Sequence, residues 1–433
     1  MPARSRSRSP ARRRAAPASP SVRKTAVRRT SVTEETPEYS NASLPINDPT
    51  PRFIHKPHTV LLLTVALALA ITVAFVERDA EMSIKSGILA MAGGFLLFAA
   101  LHFRDSFFTR PHPVVWRIVL GTSVLYTMLL TFVMYQSRAN VRSWLRYLDP
   151  ALGVPLEERS YAERCDLFTP DHPTSSMANF RGAVLDEFIL AHFLGWFAKA
   201  LFIRDMRLLW GISISFEIIE LSMQHWLPNF AECWWDHIVL DILVCNGMGI
   251  FLGNRVLRFF EAKEYEWVSF WETPSVKGKV KRAVGQLGPA EWTSFKWSPT
   301  KDYRHFCGAM FLIFMVNMID LNAFFLKDFL WLKPSHFVNV TRLVVWFFSA
   351  CPAVREYYQF VVDPRQKRLG TQAWVCLANF ALEIVIIVKF SEGKYLEPCP
   401  PVIFWSWTIG TIAFIAFWTH FFVKQANEQK KLK

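Results

Sequence analysis

The sequence predicts an all-α, polytopic integral membrane protein with about ten transmembrane helices. Three observations carry this. The 433 residues are 52% hydrophobic and 20% charged, with a mean hydropathy of +0.18, whereas soluble domains sit near a quarter charged. Apolar stretches long enough to cross a ~30 Å hydrocarbon core recur from Thr59 to the end. The positive charge also lies in the wrong place for a basic binding core. Residues 1–57 carry a net +8 and residues 424–433 a net +3 of the formal +13, which leaves +2 for everything between. A nucleic-acid-binding protein is therefore disfavoured, and seven cysteines are too sparse for a disulfide-stapled secreted domain.

Residues 1–57, with the run RSRSRSPARRR and a Ser/Thr/Pro-rich stretch after it, cannot bury a core and read as a disordered cytosolic arm. Spans are expected at 59–76, 86–103, 114–135, 186–203, 208–227, 237–256, 305–326, 338–361, 372–390 and 402–423, giving a membrane domain over 58–423. A basic cytosolic tail follows at 424–433. The loops orient the chain. Segment 257–304 holds nine Lys/Arg against six Asp/Glu, and 362–371 holds Arg365, Lys367 and Arg368 against Asp363. The alternate loops 77–85 and 391–400 are each net −1. The positive-inside rule then puts both termini in the cytosol. The long polar loop 136–185 falls on the opposite side with Cys165, and Cys233 and Cys399 lie on that side too. A disulfide is permitted there, with its pairing left open.

Ionisable groups inside spans are costly and mark function. They concentrate between residues 192 and 246. Glu217 and Glu220 stand three apart and share a helix face. The stretch LPNFAECWWD (227–236) brings Asn229, Glu232 and Asp236, and Asp241 and Asn246 follow. Five carboxylates in a small desolvated volume require protonation or a cation. An oxygen-only ligand set suits Ca2+, and no tetrahedral His/Cys set for zinc is visible. Asp236 also suits a helix cap, and Asn246 an interhelical hydrogen bond. His192, inside AHFLGW (191–196), is placed to act as general base toward a substrate hydroxyl, oriented by Glu217 or Glu220. His225 and His237 read as supporting or interfacial residues, and Trp234 and Trp235 as part of the interfacial aromatic belt. On the cytosolic side, Arg110 in FTRPHP (108–113) and Arg282 in VKGKVKR (276–282) suit an anionic regulatory lipid.

FTRPHP, AHFLGW, the stretch 227–253 beginning LPNFAECWWD, and DPRQKRLGTQAW (363–374) resemble the eukaryotic phosphatidylserine synthases of the base-exchange type. The resemblance covers residues 58–423. It implies a multi-pass enzyme of the endoplasmic reticulum membrane with its active site toward the lumen. The implied reaction is Ca2+-dependent exchange of L-serine for the ethanolamine or choline of phosphatidylethanolamine or phosphatidylcholine. The family's essential positions fall on His192, Glu217, Glu220, Asn229, Glu232, Asp236, Asp241 and Asn246. Of these, His192, Glu217, Glu220 and Asn229 are expected to be catalytic. Glu220, Glu232, Asp236 and Asp241 are expected to hold the metal, and Glu217, Asn229 and Asn246 the substrate. Arg110 and Arg282 fall on segments tied to inhibition by the product phosphatidylserine, and a homodimer is left open. The runs KDFLWLKPSH (327–336) and LGTQAW are closer to the ethanolamine-using branch. Two alternatives compete. A CDP-diacylglycerol-type phosphatidyltransferase would need an Asp-x-x-Asp-Gly motif, which the chain lacks. A Ca2+-gated lipid transporter or scramblase gives no role to His192.

Overall fold

The structure is a computed structural model. It describes residues 57–76, 79–106, 108, 112–156, 165–168, 177, 187–261, 275, 276, 278, 295–396 and 398–431. Residues 1–56, Arg110 and Arg282 lie outside the described residues.

Among the described residues the regular structure is entirely helical. In chain order the elements are α1 (Pro57–Ala74), α2 (Ala80–His102), α3 (Pro113–Met134), α4 (Arg138–Leu148), α5 (Glu187–Ile203) and α6 (Met206–Met223). A short 3-10 turn at Pro228–Phe230 leads into α7. This helix begins as a π-helix over Asp236–Asn246 and continues as an α-helix to Glu261. Then come α8 (Tyr303–Leu330), α9 (Phe337–Val362), α10 (Thr371–Phe390) and α11 (Pro401–Lys431). Capping residues set several starts: Asp79 accepts from Met82, Asp205 from Arg207, and Asp302 from His305.

Seven helices combine the length and apolar composition needed to cross a membrane: α2, α3, α7, α8, α9, α10 and α11. Helices also stand at the other three predicted positions, but the count of ten is not established by them. Helices α1 and α5 have 18 and 17 residues. Helix α6 carries Arg207, Glu217 and Glu220 within 18 residues. Its polarity is that of the site it builds. Two boundaries differ from the sequence expectation. Residues 424–431 continue α11 as helix, and the segment after residue 136 contains the amphipathic helix α4. In α4, Val141 is buried, while Arg142 donates to the Phe329 carbonyl at 2.8 Å and Arg146 to the Gly153 carbonyl at 2.8 Å. Alternating hydropathy conceals such a helix from a search for long apolar runs.

Helices α5 and α7 approach closely through Gly249 and Gly253. A Cβ at Gly249 would stand 2.7 Å from the Phe193 carbonyl oxygen, and one at Gly253 would stand 2.5 Å from the Ala200 Cβ. Larger side chains would force the helices apart. Elsewhere a fully buried carboxylate ties four helices together. Glu383 on α10 accepts from Arg342 at 2.9 and 2.7 Å, Tyr126 at 2.5 Å, Trp346 at 3.1 Å and Asn322 at 3.1 Å.

One end of the bundle gathers α4, the 227–235 turn, and segments 331–336 and 391–396. Trp226 packs on Tyr395 with ring centroids 4.8 Å apart, His336 pairs with Asp149 at 3.2 Å, and Lys394 with Asp328 at 3.2 Å. The same end holds the candidate site.

Candidate active site

Three elements converge: α5, the buried face of α6, and the π-helical start of α7. The π geometry is the organising fact. Its hydrogen bonds join residues five apart, so residues at that spacing follow one another along one face. Asp236, Asp241 and Asn246 have this spacing. In an α-helix they would fan around the axis, which is why a 3.6-residue reading does not align them.

Glu217 and Glu220 are 4% and 6% exposed on α6, as their common face predicts. His237 Nδ1 lies 3.1 Å from Glu217 Oε2 and 3.9 Å from Glu232 Oε2. Asn246 donates to the Ser213 hydroxyl at 2.8 Å and to Glu217 Oε1 at 3.5 Å. His192 Nδ1 lies 3.1 Å from Asp241 Oδ1. Two groups of three bring their polar atoms within 4.8 Å of one another: Glu217, Glu220 and His237, and Glu232, His237 and Asp241.

Most of the predicted set is therefore together. His192, Glu217, Glu220, Glu232, Asp241 and Asn246 form one constellation. Asp236 is half-buried at the helix start and joins the constellation only through its charge, which acts on Glu232 and His237. Asn229 sits half-buried in the 3-10 turn and makes no hydrogen bond among the described residues. The turn Pro228–Phe230 buries Phe230 beside it. His192 is oriented by Asp241, not by Glu217 or Glu220. Glu217 is engaged by His237, which stands at the centre of both groups rather than at the interface. The five-residue spacing of Asp236, Asp241 and Asn246 is the sequence signal that could have revealed this face.

The two histidines differ in access. The His192 side chain is 29% exposed and that of His237 is 6% exposed. With Nδ1 directed at Asp241, His192 keeps Nε2 as its basic nitrogen. His237 Nε2 and Asn246 Oδ1 are buried with no hydrogen-bond partner. Buried polar atoms are ordinarily paired, so each of these two calls for a partner. In the turn outside the helices, the Glu232 carboxyl is pushed up to about 9 by burial first, then by the nearby charges of Asp241 and Asp236. An uncompensated carboxylate set has this signature, and a hard cation would relieve it. The oxygens of Glu217, Glu220, Glu232 and Asp241, with Asn246 Oδ1, fit Ca2+ in chemical type, whereas the nitrogen of His237 is a poor ligand for it.

A disulfide joins Cys165 to Cys233, and the Trp235 indole donates to the Cys165 carbonyl at 3.1 Å. Of the three cysteines expected on this side, Cys399 is free. The bridge anchors the turn that carries Glu232.

A family model described as phosphatidyl serine synthase matches residues 111–391. The chain is 40% identical to phosphatidylserine synthase 2 of Danio rerio over 391 residues, 89% of this chain and 86% of that protein. It is 39% identical to phosphatidylserine synthase 2 of Homo sapiens over 394 residues, 89% of this chain and 80% of that protein. It is also 39% identical to a CDP-diacylglycerol--serine O-phosphatidyltransferase 2 of Oryza sativa subsp. japonica over 383 residues, 86% of this chain and 90% of that protein.

Proposed function

The chain belongs to the phosphatidyl serine synthase family and is a multi-pass membrane phosphatidyltransferase that makes phosphatidylserine from serine and a phospholipid substrate; from that premise we propose that it works by Ca2+-dependent base exchange. L-serine replaces the ethanolamine or choline of an existing phospholipid. The observation that carries this reading is the half-open His192–Asp241 pair at the edge of the buried carboxylates. It supplies a base for a hydroxyl beside a place that would hold a cation.

In this proposal Nε2 of His192 takes the proton of the serine hydroxyl as the serine oxygen bonds to phosphorus. The phosphorus bond to the ethanolamine oxygen breaks, and that oxygen takes the proton from His192. Asp241 holds the ring and supports its charged form. Glu217, Glu220, Glu232, Asp241 and Asn246 would hold the Ca2+, which when bound neutralises charge gathering on the phosphorus-bound oxygens. One phosphodiester becomes another, so no nucleotide is needed.

The loops support a lumenal site in the endoplasmic reticulum. Helices α7, α8, α9 and α10 have their ends next to the Lys/Arg-rich sequence segments 257–304 and 362–371 at Glu261, Tyr303, Val362 and Thr371, and α7 starts from the site turn at its other end. The Cys165–Cys233 disulfide suits an oxidising compartment. A weak oxygen-ligand site also fills where free Ca2+ is high. Product inhibition through Arg110 and Arg282, and a homodimer, belong to the same proposal.

A second reading takes CDP-diacylglycerol as donor, because the name of the rice relative contains it. The missing Asp-x-x-Asp-Gly motif counts against it. The test is purified full-length chain with labelled serine and vesicles of phosphatidylethanolamine, phosphatidylcholine or CDP-diacylglycerol, with and without chelator. Base exchange predicts labelled phosphatidylserine from the first or second lipid, lost with chelator. Product from CDP-diacylglycerol alone would overturn it.

A further inference from the structure

We propose that Lys327 is the carboxylate anchor for the incoming amino acid, and so a specificity-determining residue for serine. This rests on the base-exchange reading above.

Lys327 lies in the last turn of α8, where its carbonyl accepts from the Leu332 amide at 3.0 Å. That contact pins its backbone at the end of the bundle that holds the site. Its side chain is half-buried, with Nζ 5.1 Å from the centroid of the Phe324 ring. Phe324 packs in turn on Phe230 at 4.8 Å and on Phe216 at 6.1 Å. Phe230 follows Asn229 in the site turn, and Phe216 precedes Glu217. The ammonium therefore lies over a ring that packs on both the site turn and α6.

It has no hydrogen bond or ion pair among the described residues. Its neighbour Asp328 is engaged by Lys394 at 3.2 Å. The carboxylates whose charge reaches Lys327 are Asp328 and Glu232, and Glu232 belongs to the site. The residue is half-buried, yet its ammonium keeps an accessible face with no protein acceptor among the described residues, which leaves it open to a ligand anion.

The chemistry of the two bases selects that anion. Serine differs from ethanolamine by one carboxylate. The cluster already holds Glu217, Glu220, Glu232 and Asp241, so a further carboxylate entering beside them needs a fixed positive partner. Ethanolamine needs none. A lysine at the rim thus favours the amino acid without touching the hydroxyl that reacts.

The experiment uses full-length chain in phosphatidylethanolamine vesicles with labelled serine, comparing wild type, Lys327→Gln, Lys327→Met and Lys327→Arg. Free ethanolamine is added as a competitor. The two neutral variants should raise the KM for serine on the order of ten- to hundredfold, the value of one charge-assisted hydrogen bond. They should leave kcat within about threefold, and Lys327→Arg should restore most of the KM. The inhibition constant of ethanolamine should stay unchanged. An unchanged serine KM overturns the assignment. A raised KM for the lipid instead assigns Lys327 to the phosphodiester and also overturns it, as does an equal loss of ethanolamine competition. Failure of the wild type to incorporate serine from phosphatidylethanolamine or phosphatidylcholine would instead overturn base exchange itself. Unfolding midpoints within a few degrees of wild type establish that the variants fold.

Discussion

His237 and Glu217 form a buried pair, Nδ1 to Oε2 at 3.1 Å, while His192 and Asp241 form a second pair at the same distance that is open to its surroundings. The site therefore contains two histidine–carboxylate pairs with different access. The closed pair links α6 to α7 and holds the carboxylates in register. The open pair can meet a substrate.

That division predicts different variant phenotypes. Replacing His192 with Ala should lower kcat by about 10²- to 10⁴-fold, the usual contribution of a general base. The rise in unfolding midpoint on adding Ca2+ should persist. His237→Ala should diminish both, since it removes the link that positions Glu217. Exchange assays and thermal unfolding with and without chelator check this, and normal turnover by His192→Ala would remove the base assignment.

The raised Glu232 carboxyl predicts a pH dependence. Its value of about 9 in the cation-free fold lies above the ordinary carboxylate value. Between the two values the folded state binds more protons than the unfolded one, so stability of the cation-free protein falls as pH rises. A cation must displace the same proton, so Ca2+ should bind more tightly as pH rises toward 9, with proton release. Titration calorimetry in buffers of different ionisation enthalpy measures that release. Glu232→Gln should abolish this part of it.

Glu383 predicts a stability effect far from the chemistry. Its carboxylate receives Arg342, Tyr126, Trp346 and Asn322 with no solvent exposure. Removing one partner strands the other charge. Arg342→Ala should therefore destabilise the fold by about 3–5 kcal/mol. Denaturation in detergent should show the loss, and the KM for serine in the surviving folded fraction should be unchanged.

The Cys165–Cys233 bridge closes a loop with a sequence separation of 68. Loop entropy puts its worth at about 4 kcal/mol in the chain-entropy account. Cys233→Ser should lower the unfolding midpoint and, by freeing the turn that carries Glu232, weaken Ca2+ binding. Comparison with Cys399→Ser, which breaks no bridge, separates the two effects.

Much of this protein was legible in its residues because the membrane makes the code simple. Long apolar runs must become helices, since no water satisfies the backbone there. Charges in such runs are too costly to be incidental, so Glu217, Glu220, Asp241 and His192 stood out on composition alone. Helix α4 was not legible, because its Val141 and Arg142 alternate along an interface rather than forming a span.

The sequence by itself determined the all-helical membrane architecture and the membership of the acidic cluster. Only the tertiary structure decided the pairing within it. The π-helix aligns Asp236, Asp241 and Asn246 at a spacing that no α-helical count matches. The packing of α5 on Gly249 and Gly253 brings α5, and with it His192, alongside α7. There His192 meets Asp241, and Glu217 is left to His237. Asn229 sits half-buried in the turn just before Phe230, whose side chain is buried. Which atoms meet depends on helix pitch and interhelical distance, and those are settled by packing between segments far apart in the chain.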